Sequence, residues 1–260
     1  MIIIYKHLQK FTLYFIHMSS HPLFPHVRFV PKGYFSVLLS AFCFLILLSS
    51  CRTSSPTMTY GDGIDISHHQ GRINWKKVAR QKNLQFVYIK ATEGGTYQDP
   101  RYAHNLKQAR RRGMKVGSYH FMRTTSSVWL QFLNFMSHVN PKKQDLVPMI
   151  DVEECKNWSS QQLADSVNLL SRLFEKVYGQ KPVIYTGQHF YNKRLHNRLP
   201  HHPLWIACYS NNPPAVNAPY LIWQFTQRAK LPGISTSVDL NQFMPGGSIE
   251  MLELEWIFDN

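Results

Sequence analysis

Residues 146–153 read LVPMIDVE, an apolar run that closes on two carboxylates. Side chains two apart in a strand project from one face, so this run sets Asp151 and Glu153 side by side at the end of a buried strand. The same grammar recurs along the chain. Short runs rich in β-branched and aromatic residues occur at 86–90 (FVYIK), 115–122 (KVGSYHFM), 182–187 (PVIYTG), 203–209 (PLWIACY) and 221–226 (LIWQFT). Helix-like stretches lie between them at 75–82, 100–112, 126–138, 160–178 and 188–195. The clearest is 160–178, with Ser159 or Ser160 as N-cap, apolar residues at helical spacing and Gly179 as a stop. Strands alternating with helices of this length predict βαβ units and a parallel sheet. After about residue 200 the helices thin out and the strands crowd. The expected fold is α/β: a modified TIM-like βα barrel with fewer helices than a regular eight-fold barrel, closed by late antiparallel strands.

In βα barrels the working residues collect at the C-terminal ends of the strands. Here those ends read GIDIS (63–67), IKATEG (89–94), GSYHF (117–121), MIDVE (149–153), YTG (185–187), WIACY (205–209), WQF (223–225) and SVDLN (237–241). Asp65 and Asp239 thus join Asp151 and Glu153, giving four acids at three strand ends. Carboxylates crowded together cannot all ionise easily, so one pKa rises into the range of a general acid. Hydrolysis of a glycosidic bond needs such a proton donor and a second group that stabilises an oxocarbenium-like centre. Tyr119, Tyr185, Trp205, Tyr209, Trp223 and Phe225 also fall at strand ends. They either stack on sugar faces or fill the core.

Hydrophobic residues make up 44% of the 260 and charged residues 17%, which excludes a disordered chain. Four cysteines exclude a disulfide scaffold and a Cys-rich zinc module. The net charge of +14 suits phosphates, anionic lipid or an acidic wall polymer alike. The run Arg110-Arg111-Arg112 ends a helix, where cations are favoured. No recognised nucleic-acid-binding module accompanies the charge, so no nucleic-acid partner is expected. The adjacent pairs His68-His69 and His201-His202 point to opposite sides of a strand and make no bidentate metal site. His120 is expected to hydrogen-bond inside the barrel mouth.

The N-terminus reads as an address. Arg28 and Lys32 precede YFSVLLSAFCFLILL (34–48), an uncharged apolar run that is short for a spanning helix. Leu48-Ser49-Ser50-Cys51 resembles a bacterial lipoprotein lipobox, which implies lipidation of Cys51 and a membrane anchor. An uncleaved N-terminal anchor is the alternative. Both export the rest of the chain to the cell envelope, and Met18 offers a second possible start. Cys155 and Cys208 remain, either paired as an oxidising compartment permits or as buried thiols.

From 61 to 245 the pieces GIDISHHQGRINW, FVYIKATEGGTYQDPRYAHN, GMKVGSYHF, MIDVE, VIYTG, LWIACY, and IWQFT followed by GISTSVDLNQF occur in an order that resembles glycoside hydrolase family 25, the Chalaropsis-type lysozymes. The resemblance implies a monomeric, cofactor-free and metal-free N-acetylmuramidase acting on peptidoglycan glycan strands. It makes Glu153 the catalytic acid with Asp151 beside it, and Asp65 and Asp239 the other acids of the site. Tyr119, Tyr185, Trp205, Trp223 and Glu93 become substrate-binding candidates; Lys90 and Gln224 match the motifs without a role. It associates the reaction with retention of configuration, through either a covalent Asp151 intermediate or attack by the substrate's own acetamido group. The organisation expected is a leader at 1–50, a polar linker at 51–60, a catalytic domain at 61–245 and an extension at 246–260. A peptidoglycan-binding lipoprotein without turnover is the alternative function.

Overall fold

The structure is a computed structural model, described here for residues 61–255. The leader, the lipobox at Cys51, the whole linker to residue 60 and the last five residues lie outside the described residues. The elements run β1 (Gly63–Ile66), α1 (Trp75–Val78), β2 (Phe86–Glu93), β3 (Tyr97–Gln98), α2 (Tyr102–Arg110), β4 (Lys115–Phe121), α3 (Val128–His138), β5 (Met149–Asp151), α4 (Ser160–Tyr178), β6 (Val183–Gly187), α5 (Gln188–Phe190), β7 (Leu204–Ala207), β8 (Ile222–Ala229) and β9 (Val238–Phe243). Eight strands close a barrel in the order β1-β9-β8-β7-β6-β5-β4-β2 and back to β1, with β3 hairpinned onto β2 outside the ring. Every pairing in the ring is parallel except the two made by β9. One antiparallel strand therefore does the closing, where several were expected.

Alternation along each strand sorts the core into two. On β2, Val87, Ile89 and Ala91 face outward and join the helices, while Phe86 and Tyr88 face the barrel interior with Tyr119, Met149, Val183, Tyr185 and Trp205. Glycine makes room for these rings. A Cβ on Gly63 would lie 2.1 Å from the Phe86 ring, and one on Gly117 2.4 Å from the Tyr88 ring, so an alanine at either position forces an aromatic side chain out of place.

The 160–178 helix forms with the predicted bounds because both ends are specified locally. Ser159 Oγ accepts from Gln162 N–H at 3.1 Å and Gln162 Oε1 accepts from Ser159 N–H at 2.8 Å, closing a capping box. Gly179 terminates it in the left-handed conformation at φ 74°. Leu163, Val167, Leu170 and Phe174 bury the inward face. By contrast, the expected 75–82 helix is one turn, 75–78, and the 188–195 helix gives way after Phe190 to a wider turn over Tyr191–Leu195. The expected strand 146–153 pairs only over Met149–Asp151. Pro148 has no N–H to donate, and Leu146 bridges instead to Glu253.

That bridge belongs to the C-terminal extension, which packs under the barrel. Val147 N–H donates to Leu252 O at 2.8 Å and Leu254 N–H to Asp145 O at 3.0 Å. Ile249 and Leu252 are buried against the interior ring cluster, so residues 246–255 seal the end opposite the strand C-termini. Cys155 and Cys208 are free thiols.

Candidate active site

At the C-terminal ends of the parallel strands, and at the N-terminal end of the reversed strand β9, the inward positions change from apolar to charged. Asp65 and Ser67 come from β1 and its exit, Lys90 from β2, Tyr119 from β4, Asp151 and Glu153 from β5 and its exit, Tyr185 from β6, Gln224 from β8 and Asp239 from β9. Together with His69, Phe121, Met149, Tyr209 and Gln227 they line one cleft of about 300 Å³. All four acids anticipated from the sequence share it. Asp151 is the last residue of its strand, so Glu153 reaches the cleft from the exit of β5 rather than from within a strand.

Asp65 is fixed by two amides. Gln224 Nε2 and Asn241 Nδ2 each donate to its Oδ2 at 2.9 Å. The antiparallel register puts Asp239 directly opposite Asp65. Burial, then the charges of Asp65 and Glu153, push the Asp239 carboxyl up to about 8, and its hydrogen bond to Asp65 keeps the shared proton on Asp239. Asp65 is itself raised by burial, against the hydrogen bonds from Asn241 and Gln224.

Asp151 is raised well above the usual carboxylate range, first by burial and then by the charge of Glu153; Lys90 opposes both. Its Oδ1 is buried and accepts no hydrogen bond among the described residues. Glu153 keeps an exposed edge at the cleft mouth. Desolvation by the concave wall nevertheless raises it, Asp65 adds to the rise, and Lys90 and Arg123 pull it back. The cleft thus holds a coupled set of acids that cannot all be charged at neutral pH. A free acceptor at depth and a proton donor at the rim can together protonate a leaving oxygen and steady a developing cation.

The Asp65–Asp239 proton has a measurable consequence. A carboxyl whose folded pKa is raised binds a proton that the unfolded chain has already lost, so stability falls as pH climbs from about 3.8 to about 8. Asp239→Asn keeps a donor toward Asp65 and removes the titration. Its Tm is expected above the parent's at pH 8 and equal to it below pH 4 (~4 being the unfolded carboxylate value), as thermal melts across that range would read. Equal melting curves at pH 8 would refute the shared proton.

Tyr119 and Tyr185 line the cleft as expected. Three other substrate-binding candidates do not. Trp205 is fully buried beneath the site, edge-on to Phe86, Tyr88 and Tyr185, because its position on β7 points into the barrel floor. Trp223 points outward from β8, 6% exposed, and its indole N–H donates to Cys208 O at 2.8 Å. Glu93 turns to the flank, where its Oε2 accepts from Lys90 Nζ at 2.6 Å. Gln224, to which the motif gave no role, is a hub: its Oε1 accepts from the hydroxyls of both Tyr185 and Tyr209 at 2.8 Å while its amide holds Asp65. Asn241 went unnoticed in the sequence; only its placement two residues after Asp239 on the same strand face signals it. His120 is buried and neutral, its pKa lowered to about 4 by burial, between Thr92 Oγ1 at 2.8 Å and Gln131 Oε1 at 3.0 Å.

Known proteins share this arrangement of chain. The YegX protein of Escherichia coli strain K12 is 34% identical over 196 residues, 74% of this chain and 71% of that one. An autolytic lysozyme of Clostridium acetobutylicum is 33% identical over 185 residues, covering 71% of this chain and 56% of its own length. A solved family 25 glycosyl hydrolase from Bacillus anthracis superposes with a TM-score of 0.66 at 31% identity, over 72% of this chain and 89% of that one. Residues 64–234, which carry β1 through β8 and three of the four cleft acids, match the model of the glycosyl hydrolases family 25. A barrel closed by one reversed strand, four acids at its mouth and this match place the chain in glycosyl hydrolases family 25.

Proposed function

We propose that the protein is a peptidoglycan hydrolase, a lysozyme that cuts the β-1,4 bond between N-acetylmuramic acid and N-acetylglucosamine with retention of configuration. The observation that carries the reading is the convergence of Asp65, Asp151, Glu153 and Asp239 on one open cleft; family membership and similarity to an autolytic lysozyme support it. Glu153, at the rim, donates its proton to the leaving oxygen and later takes one from the attacking water. Asp151 accepts the N–H of the substrate's 2-acetamido group on its otherwise unbonded Oδ1, so that the acetamido oxygen attacks the anomeric carbon. The productive state of the coupled pair has the proton on Glu153 and the charge on Asp151; Lys90 lowers both carboxyls and so stabilises the one negative charge that the pair carries. The Asp65–Asp239 pair completes the wall with one further negative charge. Tyr119 and Tyr185 supply the flanking ring faces.

The sequence further supports a leader at 1–50, lipidation of Cys51 as the first residue after it, and a monomer held at the cell envelope. The test incubates the full-length protein with purified sacculi and reads the released fragments by mass spectrometry after reduction. Reducing-end muramic acid is the expected product. Reducing-end glucosamine would reassign the bond, and pelleting with sacculi without any release would leave a binding protein.

A further inference from the structure

Beside the cleft lies an ion cluster of which the catalytic scheme uses only Lys90. Arg123 follows β4, and its Nε donates to Glu93 Oε1 at 2.7 Å. Its Nη2 engages the same Glu93 oxygen, at 2.5 Å, and its Nη1 engages Glu154. Glu154 is the residue after Glu153. Glu93 uses its other oxygen to hold Lys90 Nζ at 2.6 Å, and Lys90 lines the cleft. One guanidinium therefore joins the end of β2, the end of β4 and the exit of β5.

The arginine is itself held from both sides. Buried Gln131 on α3 accepts from Arg123 N–H at 2.8 Å and donates its amide to Arg123 O at 2.9 Å. The centroid of the Phe121 ring lies 4.5 Å from the guanidinium carbon and 4.8 Å from Lys90 Nζ, so one ring contacts both cations. The next residue repeats the tie: Thr124 Oγ1 accepts from Lys156 N–H at 3.1 Å. The segment carrying Glu153 leaves its strand at Asp151, and Val152, whose N–H donates to Tyr185 O at 2.9 Å and whose carbonyl accepts from Thr186 Oγ1 at 2.7 Å, is the last residue that β6 holds. Side chains from the β4 exit supply what the sheet does not.

We infer that Arg123 is a positioning residue for the hydrolysis, bridging Glu93 and Glu154 so that Lys90 faces Asp151 and Glu153 is aimed into the cleft. The inference rests on the lysozyme reading. It requires a planar fork that presents separate nitrogens to the two carboxylates, Nε and Nη2 to Glu93 and Nη1 to Glu154, a spread that the single nitrogen of a lysine ammonium does not reproduce. Arg123 also lowers the Glu153 carboxyl, alongside Lys90, so charge and geometry can be separated by substitution.

The experiment compares the full-length parent with Arg123→Gln, Arg123→Lys and Glu154→Gln on soluble uncrosslinked glycan strands, with melting curves taken in parallel. Arg123→Gln is expected to lower kcat by about tenfold or more, the scale of a misplaced catalytic group, with KM held within about twofold. The alkaline limb of its kcat profile, where Glu153 loses its proton, moves to higher pH because a cation is gone. Arg123→Lys restores the limb but not kcat. Glu154→Gln lowers kcat without the upward shift and serves as the second variant where Arg123→Gln does not fold. Parent-like kcat in folded Arg123→Gln, a loss confined to KM, or full rescue by lysine would overturn the assignment. An inactive parent would instead strike the lysozyme reading.

Discussion

Glu153→Gln is expected to retain binding to sacculi and to lose turnover by about 10³-fold, within the 10²–10⁴ range associated with removing a general acid. The amide matches the carboxyl in shape but carries no transferable proton, so the loss appears in kcat rather than KM. Fragment release by mass spectrometry gives the rate, and co-sedimentation gives the binding. Substitution also removes the charge that raises Asp151, so that carboxyl is expected to titrate nearer its ordinary range in the variant. A variant that still cuts at a tenth of the parent rate (~10-fold loss being small for a proton donor) would move the acid's role to another carboxylate.

Trp205→Ala is expected to cost about 3–5 kcal/mol of stability, the usual scale for deleting a fully buried large aromatic side chain. The ring fills the barrel floor against Phe86, Tyr88 and Tyr185, with centroids 5.9, 5.3 and 5.9 Å away. Its indole N–H also donates to Asn241 Oδ1 at 3.0 Å, and Asn241 donates onward to Asp65. Trp205→Phe keeps most of the volume and orphans the Asn241 oxygen, so it is expected to cost about 1–3 kcal/mol and to lower activity through Asp65. Chemical denaturation of both variants checks the ordering. Equal stabilities would mean that ring packing contributes nothing there.

These two residues also mark what could be read from the chain and what could not. Asp65, Asp151 and Glu153 were legible because each lies at or just past the end of an apolar strand, and parallel register brings those ends together; Asp239 reaches the same mouth from the start of the reversed strand β9. The 160–178 helix was legible because Ser159, Gln162 and Gly179 specify its ends without help from the rest of the fold. The aromatics were not legible in the same way. Trp205 and Tyr185 sit on neighbouring strands as paired residues, yet one fills the floor and the other lines the cleft, a difference set by barrel closure and by the height of each side chain. Glu93 was a groove candidate through the family resemblance; in the structure it is the last residue of β2, and a register shift between Lys90 and Thr92 accompanies its turn to the flank. The two-residue strand β3 carries too little pattern to be seen at all.

The reversed strand β9 gives the molecule an assembly order. Asp65 lies in the first strand and its partners Asp239 and Asn241 in the last, 176 residues separating Asp65 from Asn241. A nascent chain that has emerged only as far as β8 has an open sheet edge on β1, no closed ring and one cleft acid missing. Contacts of such long sequence separation form late and at a high entropic cost. The hydrolytic centre therefore comes into being only once β9 has been made, and any fragment that stops short of Val238 is a half-made vessel without its working mouth.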